Sequence, residues 1–491
     1  MCLAKNIFIF LICLVFFWFC QAQTPFISEP DGYFHAKLAY LFRTQGFIKD
    51  FPWTSLSYWK DSFSDKEFLY HLLLSPLTFF SLPTAIKTLT VLLASFTSWS
   101  FYRILQIYKV PFPSFGLFIL LTSSTYFLFR LNAPRPHVIA VGLSLWIAYT
   151  ITKRHYKFLF TSCAFFSLFY TGIFLPIAFV LLAFFHQWFF EKKKDLKLLS
   201  YSIGGLAIGI ALNPYFPRNL IMFFITNFYI LSKSLSSGIT HNLGAELSPM
   251  TTRSLFLQIP TLFAGAFGIV VLFLSAPKKL SRVTQEFFLF FSVTLALTMN
   301  SMRFIEYSVP FLAMLLFLLC KEFFPSKALS FHSLKNAKAT IFAFLILSVT
   351  TLTAYRNLSH FIESYKAKSS KFRLASLELR DHATDNEIIF TCDWDDGPEL
   401  WYYNDRYRYL VFLDPLLMFY SYPEQYLQWR KLQVGAFDSK NLQSILKNDF
   451  HSRIGVCGSE FGHFRQKLKD SGAEIIFEDP LVFAFKFPQT P

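Results

Sequence analysis

Charge is what this sequence has too little of. Only 16% of its 491 residues are Asp, Glu, Lys or Arg, against about 25% in a soluble globular chain. With 54% hydrophobic and 20% aromatic residues and a mean hydropathy of +0.40, the chain cannot coat a water-soluble body of this size. Cysteine is scarce too: seven in all, with Cys2, Cys13, Cys20, Cys163 and Cys320 in or beside apolar runs. No CxxC and no Cys/His ligand spacing occurs, so a zinc module finds no support. Cys392 and Cys457 fit either a disulfide in an oxidising compartment or two buried thiols. A convincing internal repeat is also missing, which counts against a transporter built from repeated halves.

Carboxylates are scarcest in residues 1–356, which carry a net charge of +18, whereas residues 357–491 carry −3. The basic excess sits in short turns between apolar runs. There it reads as a topology signal rather than a nucleic-acid patch, so no nucleic-acid partner is expected. About eleven runs are long enough to cross a bilayer as helices: 5–22, 84–105, 113–129, 135–152, 156–170, 173–190, 197–212, 255–275, 284–301, 305–321 and 339–355. Arg103 and Lys109, Lys153/Arg154/Lys157, Lys192–Lys194, Lys278/Lys279/Arg282 and Lys321/Lys327/Lys335/Lys338 follow every second run. One parity fits all of them: N-terminus inside the cytoplasmic (inner) membrane, with the 23–83 loop, the 213–253 loop and the tail outside. The expected fold class is mainly α. A polytopic membrane domain (1–356) is followed by an outer soluble α/β domain (357–491).

The first outer loop holds half of the carboxylates before residue 357: Glu29, Asp31, Asp50, Asp61, Asp65 and Glu67. Pro30-Asp31-Gly32 reads as a turn at the outer end of the first run. Tyr33, Phe34, Leu38, Tyr40, Leu41 and Phe42 then form a helical stripe that predicts an interfacial helix. His35 and His71 lie among these groups. A solvated loop would also use such polar residues, yet carboxylate, imidazole and aromatics at a membrane border suit a polar substrate meeting a lipid carrier.

At DGYFH, followed by a long outer loop ending in EFLYHLLLSPL, the chain resembles the GT-C superfamily of lipid-phosphosugar-dependent glycosyltransferases. Oligosaccharyltransferase catalytic subunits and their uncharacterised bacterial relatives look nearest. APRPHVIAVGLSLWIAYTIT (133–152), FLFTSCAFFSLFYTGIFLPIAFVLLAFF (158–185), NPYFPRN (213–219) and MRFIEYSVPF (302–311) continue the resemblance in order over most of residues 1–325. Lys5, an apolar stretch and Cys20-Gln21-Ala22 look like a cleavable signal peptide. The family keeps its first helix, so an uncleaved first span is preferred.

The resemblance implies sugar transfer at the outer face, from a polyprenyl-phosphate-linked donor drawn from the membrane lipids to a glycan, lipid or protein acceptor. Asp31 matches the first-loop carboxylate that orients or deprotonates the acceptor, with His35, Asp65, Glu67 and His71 supporting it. Arg135, His137, Arg303 and Glu306 are the candidates at the phosphate, where a guanidinium fork bonds two oxygens. The plainer readings are snorkelling for Arg135 and an Arg303–Glu306 ion pair across one helical turn. Oligosaccharyltransferases hold a divalent metal, Mg or Mn, partly through an acidic pair in their second outer loop. RLNAPRPH (130–137) has no carboxylate, so Asp31 is the one ligand matched, and a metal-free mechanism stands beside the metal one.

In the tail, EIIFTC (387–392), YLVFLD (409–414), RIGVC (453–457), AEIIFE and LVFAFKF read as strands, with helices near 423–433 and 459–471. DWDDG is similar to the family's WWDYG acceptor signature but lacks its Trp pair. Asp393, Trp394, Asp395 and Asp396 are therefore candidates for acceptor recognition or for a helix start capped by Asp395 or Asp396. A lipid-linked-glycan transporter or flippase, and a non-catalytic scaffold of an envelope complex, are the alternative functions.

Overall fold

A computed structural model describes residues 2–229, 244–275, 279–323 and 337–488. Of the basic residues used above, Lys278, Lys327 and Lys335 lie outside the described residues, as does 230–243 of the second long loop. The fold is mainly helical, with one small C-terminal sheet. It divides into two compact units: Met1–Thr24, Lys87–Pro214 and Gly244–Ala367 in one, Pro25–Ile86, Tyr215–Leu243 and Lys368–Pro491 in the other.

The first unit is a bundle of apolar helices. Every apolar run counted above is helical. Among the described residues, Leu3–Gln21, Phe174–Glu191 and Met302–Phe323 are long and apolar enough to cross a membrane, or up to five segments if each of two bent pairs is one span. The run 113–129 is not one straight helix. Pro113–Thr122 and Thr125–Asn132 meet at 91°, because Ser124 turns extended (φ −148°, ψ 124°) and its hydroxyl accepts from the Phe127 N–H, a serine N-cap starting a new helix. Gln21 and Tyr365 both donate to the Asn132 carbonyl, at 2.8 and 2.9 Å. They fix the end of the helix that carries Arg130.

Helices Tyr156–Phe169 and Leu196–Leu212 come together through Gly205 and Gly209. A Cβ there would lie 2.3 Å from the carbonyls of Phe160 and Ala164 respectively. Small residues four apart let helix backbones touch where no solvent drives them together. The basic turn after His137–Lys153 is also structural: Arg154 donates to the fully buried Glu286 at 2.6 Å.

The second unit joins the first loop and the tail around a five-stranded sheet ordered β2-β1-β3-β5-β4, with β1 Ile388–Thr391, β2 Arg408–Tyr409, β3 Ile454–Gly458, β4 Glu474–Glu478 and β5 Val482–Lys486. β1 runs parallel to β2 and β3; β5 is antiparallel to β3 and β4. Only the first residue of the YLVFLD segment is strand, because the chain turns into helix Pro415–Ser421, capped by Asp414. Helix Pro423–Gln433 forms as read, and Gly462–Asp470 falls within the second helical stretch. At the β2 edge Thr54 adds a parallel bridge to Tyr409.

The aromatic stripe of helix Pro30–Gln45 differs from its sequence reading. Tyr33, Phe34, Leu38, Leu41 and Phe42 are all buried, and only Tyr40 is exposed. The stripe faces protein: Phe34 stacks on Trp59 at 5.5 Å and meets Trp401 at 5.8 Å, and Tyr33 meets Tyr402 edge-on at 5.0 Å. Periodicity marks a buried face but cannot say whether lipid or a distant part of the chain covers it.

Cys392 and Cys457 form a disulfide between the ends of neighbouring strands β1 and β3. Their sequence separation of 65 makes the cross-link worth roughly 4 kcal/mol in loop-closure entropy. Maleimide labelling of the unreduced, denatured chain should therefore leave Cys392 and Cys457 untagged. The Cys392→Ala/Cys457→Ala protein should melt at a lower temperature in detergent. Seven tagged thiols would refute the bond.

Candidate functional site

Two buried polar constellations stand out, one in each unit. The first lies where Thr125–Asn132, the start of His137–Lys153, segment 245–247 and the start of Ile305–Phe323 converge. Arg130 is held in the bent helix by its fixed C-terminal end, and its side chain is almost wholly buried. Its Nε donates to Glu306 Oε2 at 2.8 Å and its Nη1 to Glu246 Oε2 at 2.6 Å. Arg135 donates to Glu246 Oε1 at 3.1 Å, and Arg303 Nη1 lies 3.6 Å from the same oxygen. His137 Nε2–H donates to the Arg130 carbonyl at 2.9 Å and lies 3.5 Å from Glu306 Oε2.

Three guanidiniums thus surround one carboxylate, with Glu306 beneath them, leaving an excess of one positive charge. Burial pushes the Glu246 carboxyl upward, but Arg303, Arg135 and Arg130 outweigh it and hold it well below the usual carboxylate range. Among the described residues, Arg303 Nε and Glu306 Oε1 are buried without hydrogen-bond partners. Such a cluster can bind an anion with several oxygens.

The structure brings the sequence candidates Arg135, His137, Arg303 and Glu306 into one cluster. Sequence reading misses Arg130 and Glu246. The partner assigned to Glu306 also changes: its 2.8 Å bond comes from Arg130, while Arg303 turns to Glu246. Glu246 has one legible signal, being the sole carboxylate of the 213–253 loop.

The second constellation is in the first loop. Asp31 lies in the first turn of helix Pro30–Gln45, where the positive end of the helix dipole favours a carboxylate. His35 follows one turn later on the same face. Helix Phe68–Leu74 supplies His71, whose Nδ1 lies 2.7 Å from Asp65 Oδ2 and whose Nε2 lies 2.8 Å from His35 Nδ1. The other Asp65 oxygen accepts from the Glu67 N–H at 2.9 Å. Asp65, His71 and His35 are 3%, 0% and 2% exposed, so this chain of bonds is shielded from water. Burial raises the Glu67 carboxyl, with Asp65 and Asp31 adding to the shift while Lys66 and His71 oppose it.

For a divalent metal the donors do not fit. Among the described residues, no three His, Cys, Asp or Glu side chains converge in a way that could hold one, and the His71 nitrogens engage Asp65 and His35.

The tail residues form a third, smaller group. Asp396 occupies the N-cap position of helix Gly397–Tyr403 but makes no capping bond. It lies 3.4 Å from Lys371, which also reaches Glu460 at 2.7 Å. Burial pushes Asp396 up to about 7, with Lys371 opposing and Asp393 and Glu460 reinforcing. Burial also raises Asp393, whose Oδ1 accepts from the Trp394 N–H. Nothing in the sequence marks Lys371 and Glu460 as their neighbours.

No protein-family model matches the chain, and no curated protein matches it in sequence. Solved structures do match in fold. The oligosaccharyltransferase AglB from Archaeoglobus fulgidus, in complex with an inhibitory peptide and a dolichol-phosphate, superposes with a TM-score of 0.60 at 14% identity, over 92% of this chain and 70% of that one. ArnT from Cupriavidus metallidurans, bound to undecaprenyl phosphate, gives 0.55 at 12% identity over 97% of each chain. The Archaeoglobus fulgidus oligosaccharyltransferase tethered to an acceptor peptide with the NVT sequon gives 0.61 at 14% identity, over 93% and 69%. The chain has a GT-C-like fold.

Proposed function

We propose that the protein is a membrane glycosyltransferase. It would move a sugar or oligosaccharide from a polyprenyl-phosphate-type lipid to an acceptor on the outer face of the cytoplasmic membrane. The observation that carries this reading is the part-buried three-arginine cluster around Glu246, with Arg130 buried and Arg303 Nε lacking an acceptor among the described residues. Ionisable groups buried in an apolar helical bundle are expensive and mark function by default. Two of the folds matched hold a polyprenyl-type phosphate, dolichol-phosphate in AglB and undecaprenyl phosphate in ArnT, which supports a phosphate as the anion.

In the proposed reaction the acceptor attacks the anomeric carbon as the bond to the phosphate oxygen breaks. Asp31 takes the acceptor's proton. Arg130, Arg135 and Arg303 stabilise the charge that grows on the departing phosphate. Asp393, Trp394, Asp395 and Asp396 are proposed as acceptor-recognising residues. About eleven crossings are proposed, with the N-terminus inside, residues 1–356 as the membrane domain with its 23–83 and 213–253 loops outside, and 357–491 as an outer domain.

The two bent helix pairs among the described residues, one of them the 91° break in the 113–132 segment, are the feature favouring a flippase, since transporters use broken helices. Gene deletion separates the readings. Mass spectrometry of envelope lipids should find one glycosylated polyprenyl carrier accumulating and one envelope glycan lost, with the carrier on the outer leaflet. Accumulation on the inner leaflet favours the flippase, and an unchanged lipid profile favours a scaffold.

Asn is nearly isosteric with Asp and makes the same turn bonds, but it accepts no proton. Asp31→Asn should leave expression and membrane insertion intact and lower turnover by about 100-fold, the scale of a lost general base. Near-normal transfer would remove Asp31 from the mechanism.

Opposite signs are expected in the arginine cluster. Arg303→Ala should weaken undecaprenyl-phosphate binding, and Arg303→Lys should recover only part of it, since a point charge cannot reproduce the fork. Glu246→Gln removes a competing anion and should tighten that binding by about tenfold, the equivalent of 1.4 kcal/mol. Weaker binding by Glu246→Gln would make Glu246 a structural strut instead.

A further inference from the structure

The Asp65–His71–His35 chain carries an inference that rests on the role proposed for Asp31. A carboxylate only accepts hydrogen bonds. At 2.7 Å from Asp65 Oδ2, His71 Nδ1 must therefore carry the hydrogen. In neutral His71 that leaves Nε2 as an acceptor, so the 2.8 Å contact must be donated by His35 Nδ1–H. His35 then presents Nε2 as its proton-accepting atom, and its tautomer is set by a residue 30 positions away.

The chain has a second state, one proton richer. A proton arrives at His35 Nε2, the His35 Nδ1 proton crosses to His71 Nε2, and the positive charge settles on His71 against Asp65. Every hydrogen bond survives with its direction along the chain reversed only between the two rings. The Asp65 carboxylate is pinned by the Glu67 N–H, and apolar rings enclose the imidazoles: Phe34 and Phe42 lie 6.2 and 5.9 Å from His71. A buried imidazolium is tolerated only beside such a counter-charge.

We propose that His35, His71 and Asp65 form a proton sink for Asp31, accepting at His35 Nε2 the proton that Asp31 removes from the acceptor. Asp31 becomes a carboxylate again, and the released proton is stored as the His71 imidazolium–Asp65 pair until the product leaves. His35 sits one helical turn after Asp31, on the same face of helix Pro30–Gln45. Other ionisable groups face the chain: Glu67 and Lys66 ahead of helix Phe68–Leu74, Tyr70 on it, 5.1 Å from the His35 ring, and Tyr215, which feels the Asp65 charge. The three sink residues act through Asp31, so they are positioning residues.

Two measurements on the full chain in lipid nanodiscs test this. In the first, ring-15N histidine NMR is assigned by the His35→Gln and His71→Gln differences. His71 should be the Nδ1–H tautomer, and on acidification the two rings together should take up a single proton. Independent uptake of one proton by each ring overturns the sink.

The second measurement follows transfer from an undecaprenyl-phosphate hexose against pH. Turnover of the wild type should fall on the acid side, as the sink fills before the reaction. Asp65→Asn deprives the imidazolium of its partner, so turnover should drop about tenfold or more with KM unchanged. The acid limb should move about one pH unit lower, because the charged ring is less stable. His71→Gln should behave alike. A purely structural role would reduce folded protein but leave the turnover and acid limb of the folded fraction in place, which overturns the proposal. If the wild type transfers sugar from no polyprenyl carrier while the rings still share one proton, the glycosyltransferase reading fails and the proton-sharing chain stands.

Discussion

The second unit depends on a backbone ladder between residues more than 350 positions apart. Tyr409 N–H donates to the Trp53 carbonyl at 2.8 Å, Ser55 N–H to the Tyr409 carbonyl at 2.8 Å, and Leu56 N–H to the Leu410 carbonyl at 2.9 Å. Thr54 adds its hydroxyl to the Leu410 carbonyl at 2.9 Å. An edge strand would otherwise show unpaired N–H and C=O groups; here the first loop covers them. The covering segment brings Phe51 and Trp53 onto Trp401, with ring centroids 5.0 and 5.3 Å apart. That aromatic core then takes Phe34, which orients helix Pro30–Gln45 and so the Asp31–His35 face. The carboxylate proposed as base is held by packing that the tail supplies.

The first unit solves a different problem, the cost of charge in a low-dielectric bundle. Three guanidiniums within one cluster repel one another, and each loses hydration on burial. Glu306 and Glu246 offset this, but unequally. Glu306 is 1% exposed and grows from a helix, so its place beside Arg130 is fixed by helix packing. Glu246 sits in a three-residue 3-10 turn, held by Ser301 Oγ–H to its own carbonyl at 3.2 Å and by Met302 N–H to Ser248 at 2.9 Å.

Three features are legible in the residues themselves: the class of the chain, its helical runs, and the concentration of acidic groups after the first of them. Each follows from local composition, which the solvent reads directly. Apolar runs become helices because their backbone must satisfy itself in lipid. Asp31 is legible as a carboxylate just after the first apolar run, although Pro-Asp-Gly, read as a turn, forms the first turn of helix Pro30–Gln45. The Arg135–His137 and Arg303–Glu306 pairs stand out as charges at the ends of apolar runs.

Pairing across distance is not legible. Sequence spacing matches Arg303 with Glu306, one turn apart, whereas the fold gives Glu306 to Arg130 and Arg303 to Glu246. An ion pair forms where the backbone brings charges within a few ångströms, and 176 residues separate Arg130 from Glu306. The stripe Tyr33–Phe42 likewise announces a buried face without naming what buries it. By itself the sequence determined which segments leave water and where the carboxylates enter the chain. Tertiary structure alone decided which side chains share a proton or a charge, because those bonds need a geometry that no local window contains.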